Sequence, residues 1–478
     1  MLALARLNFQ VLIEKLLYSC PGIKRMYLLI RGSKGKSSHE RLIDMVTNRP
    51  FNMRLTKDYC LSKLISVESD ISLPRLGLDD TVIADLVNNV DIVFHVAASV
   101  KFDAPIEINM RHNVAATREL LELACEFKNL QSFIHVSTAY SNCQLKQIDE
   151  KVYPMTVPKD VKNFVVTQSM IDNRPNTYTY TKAVAENVAS SYADRINVVI
   201  VRPSIVMSSL KEPAEGWVDT INGPIGLSVL GALGILQKIK VNSLVVFDLI
   251  PVDIVVNALI TISWATTTNS YLNNNLNNNN NSISEGATVF NLTTGSENPC
   301  SFYRYFSTGR EEAHRKPSVH ALRPLLTIPK QKGMNSLLYW IHKVFSHLLF
   351  AYIVDMLLGV FGQKKMVIKA VNKMHQANDM FDFFCSNQWE FQTDNVKKLR
   401  ELQTLEDRIN FNCDIRQINW DEYARLGWIG CRRYILKESD DTIEYAKKRY
   451  WYVCLFYQTI KFSLVLLFLG FVLYIYLK

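Results

Sequence analysis

In the stretch "NTYTYTK", Tyr178 and Lys182 stand four residues apart, so a helix puts phenol and ammonium on one face. An ammonium beside a phenol lowers the phenol's pKa toward the range where it can pass a proton, which suits general acid catalysis. The spacing alone is a weak signal, because Tyr59 and Lys63 in "YCLSK" match it too. Context separates the two. The Tyr178 pair follows "FIHVSTAYSN", a strand-like run ending in the hydroxyls of Ser137 and Thr138. It precedes "VVIVRPSIV", a second such run that ends in a turn at Pro203, Ser204 and Ile205. Parallel sheets place ligands at the carboxyl ends of their strands, so Ser137, Thr138, Tyr178, Lys182 and Ser204 are expected to converge on one crevice.

The elements that must position these residues read as α/β. Short β-rich runs at Met26 to Ile30, Leu64 to Val67, Asp91 to His95, Ser132 to Ser137 and Asn197 to Arg202 alternate with helical stretches. That rhythm predicts a doubly wound parallel sheet with crossover helices. At the start, Phe9, Leu12, Ile13, Leu16 and Leu17 recur at helical spacing before Pro21 and Gly22 stop the pattern. Arg31 directly follows the strand "MYLLI". Dinucleotide-binding folds place there either an acid for the ribose hydroxyl or a base for a 2′-phosphate, so Arg31 argues for NADPH over NADH. The adjoining "RGSKGKSS" is no Walker A motif, which needs glycine where Ile30 stands.

Composition bounds the partners. The 478 residues are 48% apolar, enough for two or three domains. The net charge of +9 is spread along the chain without dense basic blocks, which argues against a nucleic-acid partner and for acidic substrates or an anionic membrane surface. Nine scattered cysteines with no CxxC pair predict a reducing compartment, no disulfide framework and no metal site. Arg6, Glu14 and Lys15 interrupt the apolar runs of the first residues, which speaks against a secretory signal. "NSYLNNNLNNNNNSIS", Asn269 to Ser284, is a low-complexity stretch expected to loop into solvent. Asn280 and Asn291 begin glycosylation sequons that would stay silent in a cytosolic domain. Past Asn298 and Pro299 the pattern becomes largely helical.

The far end is the most hydrophobic. From Trp451 to Leu477 only Lys461 is charged, and the uncharged run from Phe462 spans about 24 Å as a helix. Snorkelling by Lys461 and Lys478 makes up the shortfall against a bilayer core. With Lys447, Lys448 and Arg449 upstream, a single-pass anchor with the bulk of the protein in the cytosol is expected. Leu337 to Phe361 is a second apolar region, broken by His342, Lys343, His347 and Asp355. It reads as a membrane-surface or substrate-gating element rather than a clean span.

Together, "HVSTAYSN", "NTYTYTKAVAE", "VIVRPSIVMSSLKEPAEGWVDTINGPIG", "DLIPVDIVVNAL", "VFNLTTGSENP" and "FNCDIRQINWDEYARLGWIGCRRYILKE" resemble the alcohol-forming fatty acyl-CoA reductases. These are extended short-chain dehydrogenases with a helical C-terminal domain. The resemblance runs over nearly the whole chain from about Phe9. It implies reduction of long-chain acyl-CoA to a primary alcohol by two NADPH, on a membrane facing the cytosol, with endoplasmic reticulum first and peroxisome second. It sets no oligomeric state. It divides the chain into a Rossmann-like NADP-binding domain at 1–268, the asparagine-rich loop at 269–284, and the end of the reductase and substrate region at 285–335. An apolar membrane-associated segment at 336–362, the helical domain at 363–450 and a transmembrane helix at 451–477 follow.

Residue by residue, the resemblance implies that Thr138, with Ser137 less favoured, bonds the thioester carbonyl, Tyr178 donates the proton, and Lys182 holds the nicotinamide ribose while tuning Tyr178. Arg31 would meet the 2′-phosphate, Asp70 and Ile71 the adenine, and Ala97 and Ala98 the dinucleotide backbone. Asn113 would support the site, and Pro203, Ser204 and Ile205 would flank the nicotinamide. One departure stands out. Where the family has a strand and a turn of the form TGATGFLG, this chain has "MLALARLNFQ". The central strand and glycine turn are therefore expected to be missing, as in an N-terminally incomplete or mis-spliced reductase. The alternative class is a membrane-bound pseudoenzyme that binds acyl-CoA or a partner reductase without turnover. A sterol- or sugar-modifying dehydrogenase shares the Tyr-Lys pair but leaves the C-terminal domain unexplained.

Overall fold

The computed structural model describes residues 2–4, 7–32, 35–100, 102, 104–157, 171, 174–268, 286–329, 336–365 and 367–478. The asparagine-rich stretch lies outside them. Eleven strands are described: β1 Leu2–Leu4, β2 Met26–Ile30, β3 Leu64–Glu68, β4 Ile92–His95, β5 Ser132–Val136, β6 Gln147–Ile148, β7 Val198–Pro203, β8 Ile205–Met207, β9 Leu249–Pro251, β10 Thr288–Leu292 and β11 Glu390–Phe391. Seven of them form one parallel sheet in the order β10-β7-β5-β4-β1-β2-β3. Every residue of β2, β5 and β7 is buried, as expected of a sheet covered on both faces. The five runs read from the sequence are β2, β3, β4, β5 and β7.

The central position is a correction. Leu2, Ala3 and Leu4 lie between β2 and β4, paired with Tyr27 to Leu29 on one side and Val93 to His95 on the other. The strand expected to be missing is filled by a short run without β-branched residues, a type that strand propensity undervalues. Ala5 and Arg6, where the turn would fall, lie outside the described residues. The helix Leu7–Ser19 follows, close to its expected bounds, with Val11, Leu12, Ile13, Leu16 and Leu17 buried. Glu14 and Lys15, the charges that break its apolar pattern, are buried too. Arg54 holds Glu14 with two bonds of 2.9 and 2.6 Å and reaches Glu212 at 2.8 Å, while Lys15 also pairs with Glu212. The network fastens this helix to the segment after β8.

Two compact units divide the chain, each assembled from three stretches. One comprises Met1–Glu215, Asp248–Pro299 and Gln388–Ile418, and carries the parallel sheet. Its chain leaves the sheet at Ser204 and enters the two-stranded pair β8-β9. The other comprises Gly216–Phe247, Cys300–Asn387 and Asn419–Lys478 and is mainly helical. Within it Gly430 approaches Gly216 so closely that a Cβ at Gly430 would meet the Gly216 carbonyl, and Gly216 itself has φ +69°. Among the described residues, Leu337–Val360 and Asp440–Leu477 are long and apolar enough to cross a membrane.

Candidate active site

The carboxyl end of β5 is where the chemistry gathers. Asn176 caps the helix Thr177–Ser190 by accepting the Thr179 N–H at 3.0 Å, which sets Tyr178 in the first turn and Lys182 one turn on. Lys182 is buried and donates from Nζ to the Val136 carbonyl at 2.7 Å, at the last residue of β5 and directly before Ser137 and Thr138. Burial pushes the Lys182 ammonium down to about 8, against the raising effect of Glu186. Tyr178 is half-buried and meets Phe102 edge-on at 5.4 Å. Burial alone acts on its phenol and pushes it up, so the lowering expected from Lys182 is not found and Tyr178 stays protonated, the form a proton donor needs.

Ser137 and Thr138 part company here. Ser137 donates its hydroxyl to Glu186. Thr138 accepts the Tyr140 N–H at 3.3 Å, capping the short turn Ala139–Asn142, and this leaves its own proton for another acceptor. Glu186 in turn takes two bonds from Arg202 of β7, at 3.0 and 2.7 Å, both side chains being fully buried. Sequence reasoning missed Glu186 and Arg202. The signal was there, since Glu186 stands four residues beyond Lys182, on the face already singled out.

Asn113 sits in a widened turn, Met110–Ala115, of a continuing helix, a feature common at functional sites. Its Oδ1 accepts the Ser99 N–H at 2.7 Å, and its amide donates to Thr181 at 3.0 Å and to the Ser99 carbonyl at 3.2 Å. Asn113 thus ties the loop after β4, which carries Ala97 and Ala98, to the helix of Tyr178 and Lys182. Beneath them His95 of β4 and His135 of β5 are registered partners with Nδ1 atoms 2.9 Å apart. Burial, with the Lys182 charge, drives His95 down to about 3 and His135 well below its usual range, so both rings are neutral.

The remaining expected residues also lie at carboxyl ends of the sheet. At the end of β7, the Ser204 N–H donates to Leu292 at 2.9 Å and the Ile205 N–H to Asp248 at 3.2 Å, which fixes the turn after Pro203. Two strands from β4, Arg31 at the end of β2 pairs with Asp70 beyond β3 at 3.2 Å. Burial raises the Asp70 carboxyl, but bonds from Ser72 and the Arg31 charge outweigh it and hold it below the usual range. Ile71 packs against the sheet's core. The second Tyr-Lys match has a different use: Tyr59 donates to the Leu17 carbonyl at 3.0 Å and Lys63 to the Ile23 carbonyl at 2.8 Å, clamping the end of the first helix.

A parallel sheet with a Tyr-Lys pair beside a strand-end threonine fits the extended short-chain dehydrogenase class. Two family models described as "Male sterility protein" match, an NAD-binding one over residues 10–259 and the "Sterile" one over 346–438. Fatty acyl-CoA reductase 1 of Xenopus laevis is 36% identical over 92% of this chain and 84% of that protein. The Homo sapiens fatty acyl-CoA reductase 1 is 35% identical and the Mus musculus fatty acyl-CoA reductase 2 is 33% identical, at the same coverage. Among solved structures, the terminal R domain from the myxalamid PKS-NRPS pathway aligns over 92% of both chains with a TM-score of 0.59 at 18% identity. The reductase domain of a nonribosomal peptide synthetase from Mycobacterium tuberculosis aligns over 90% of this chain and 91% of that one, with a TM-score of 0.54 at 14% identity. The chain belongs to the fatty acyl-CoA reductase family.

Proposed function

We propose that this chain reduces long-chain fatty acyl-CoA to the primary fatty alcohol with two NADPH, releasing CoA. One observation carries the reading: the Lys182 ammonium is fixed on the last carbonyl of β5, with Tyr178 one turn away and the uncommitted Thr138 hydroxyl beside it. A chain relieved of catalysis has no chemical need for that set, so the pseudoenzyme alternative is not favoured.

The donor set suits the dinucleotide. Arg31 offers a largely exposed guanidinium for a 2′-phosphate, held in place by Asp70. Asp70 and Ile71 would border the adenine, Ala97 and Ala98 the dinucleotide backbone, and Pro203, Ser204 and Ile205 the nicotinamide. When bound, NADPH supplies the hydride. Thr138 bonds the thioester oxygen and Tyr178 passes its proton to it, giving a hemithioacetal that collapses to aldehyde and CoA thiol. Tyr178 then recovers a proton from solvent and passes it to the aldehyde oxygen in the second reduction, which gives the alcohol. Lys182 would hold the nicotinamide ribose, and Asn113 fixes the loop and helix on either side. On the membrane, the C-terminal helix is a single-pass anchor, with the reductase in the cytosol at the endoplasmic reticulum or, second, the peroxisome.

The test is a detergent-solubilised chain given palmitoyl-CoA and NADPH. Two NADPH consumed per hexadecanol formed is the expected stoichiometry, with loss of product in Tyr178→Phe. Release of free fatty acid, or alcohol formation undiminished in Tyr178→Phe, overturns the reading.

A further inference from the structure

Helix Leu337–Val360 has two unlike faces. Tyr339, His347, Ala351 and Asp355 form one buried stripe, and Tyr339, His347 and Asp355 each bond to the protein. The Tyr339 hydroxyl accepts from the Asn378 amide at 3.0 Å, and His347 Nε2 accepts the Gln237 N–H at 3.0 Å. The Asp355 carboxylate accepts the N–H groups of Val367 and Ile368 at 2.9 and 3.0 Å. Opposite, Leu338, Phe345, Leu349, Tyr352, Met356 and Val360 are exposed at spacings that keep them on one line. A helix on a water-facing surface shows the reverse arrangement, apolar inward and polar outward. A contiguous apolar stripe of this length marks an interaction face.

Charge says what covers it. Lys364 and Lys365 follow the helix, and Lys369 and Lys373 stand on the next one, all four exposed. Lysines at the rim of an apolar stripe match an anionic headgroup layer over hydrocarbon. The inward bonds keep the helix with its folded unit, so it meets lipid along its side. We propose that Leu337–Val360 lies flat in the headgroup boundary of an anionic bilayer, as an in-plane contact additional to the C-terminal helix. This rests on the membrane association proposed above.

The test uses the full chain in phosphatidylcholine vesicles with and without phosphatidylserine. An environment-sensitive fluorophore is placed on a cysteine introduced by Met356→Cys, Gln376→Cys or Phe468→Cys, with background from native cysteines read in the unsubstituted chain. The Met356→Cys label is expected to blue-shift and to be quenched several-fold more by lipids brominated near the headgroup than at the chain terminus. The Phe468→Cys label should be quenched most by the deep bromines, and the Gln376→Cys label by neither. Lys364→Glu with Lys365→Glu should weaken the Met356→Cys quenching only where phosphatidylserine is present, and an unchanged signal overturns the anionic requirement. Deepest quenching at Met356→Cys overturns the flat orientation in favour of a span. No quenching there, with a doubled particle mass, assigns the face to a second copy of the chain. If Phe468→Cys is quenched and Met356→Cys is not, the flat helix falls while the anchor stands. If neither is quenched, the membrane reading itself falls.

Discussion

Ser137 donates its hydroxyl to the buried carboxylate of Glu186. A hydroxyl held by a carboxylate is a poor donor to substrate, whereas the neighbouring Thr138 keeps its proton available. Thr138→Val is therefore expected to lower kcat by about 10²–10³, the usual loss for one oxyanion donor, and Ser137→Ala by no more than about 10-fold. Steady-state kinetics on both variants decides it. The opposite ranking would move the thioester contact to Ser137.

Glu186 also faces Lys182, one turn back on the same helix, and its charge opposes the depression of the ammonium toward about 8. Glu186→Gln removes that support, so the Lys182 pKa falls further and the proton is lost earlier as pH rises. The alkaline limb of kcat/KM should move to lower pH. His95 and His135 near Lys182 are neutral throughout and burial keeps Tyr178 protonated, so none of them masks the shift. The same change leaves Arg202 buried without its partner, at a cost of about 3–5 kcal/mol. Adding Arg202→Met should recover Tm without restoring the limb. A limb that stays in place in both variants would reduce Glu186 to a structural ion pair.

Tyr178→Phe should abolish alcohol formation while leaving NADPH binding nearly intact, because only the proton donor is lost. Tyr59→Phe is the matched control. It removes one bond to the Leu17 carbonyl, worth about 1 kcal/mol, and should lower Tm slightly with kcat unchanged. The outcome to watch for is a Tyr59→Phe enzyme slowed in its chemical step, which would show that the two pairs were assigned the wrong way round.

Arg31→Ala should weaken NADPH far more than NADH, since a 2′-phosphate contact is charge-assisted and a ribose hydroxyl makes no such demand. Asp70→Asn frees Arg31 from its 3.2 Å partner and should weaken NADPH much less. Titration with both cofactors checks this. Equal losses in Arg31→Ala would make Arg31 a surface charge.

How far the sequence spoke depends on the range of the forces involved. β2, β5 and β7 were legible because a strand buried on both faces needs a continuous apolar run. The Tyr178 and Lys182 pair was legible because helical spacing is local. β1 was not, since Leu-Ala-Leu carries no strand signal and is held only by neighbours dozens of residues away. The three-stretch make-up of each unit was equally hidden, because β11 finds β6 across 243 residues of chain, which no periodicity encodes. Glu14 and Lys15 read as interruptions of an apolar pattern, and only Arg54 and Glu212, brought in from elsewhere, explain their burial.

Deleting Trp451 to Lys478 tests how the membrane contacts divide the work. The apolar window of the C-terminal helix is nowhere buried, so its removal strips no core. The cut spares Tyr450, whose hydroxyl accepts the Leu325 N–H at 3.2 Å. Most of the protein should leave the membrane fraction. What remains bound should depend on anionic lipid and be lost in high salt, because lysines at Lys364 and Lys365 act through a screened attraction while the flat helix alone buries only one apolar stripe. Flotation of vesicles at low and high salt measures both. A shortened chain that stays bound through the salt wash and needs detergent for release would show that Leu337–Val360 crosses the bilayer.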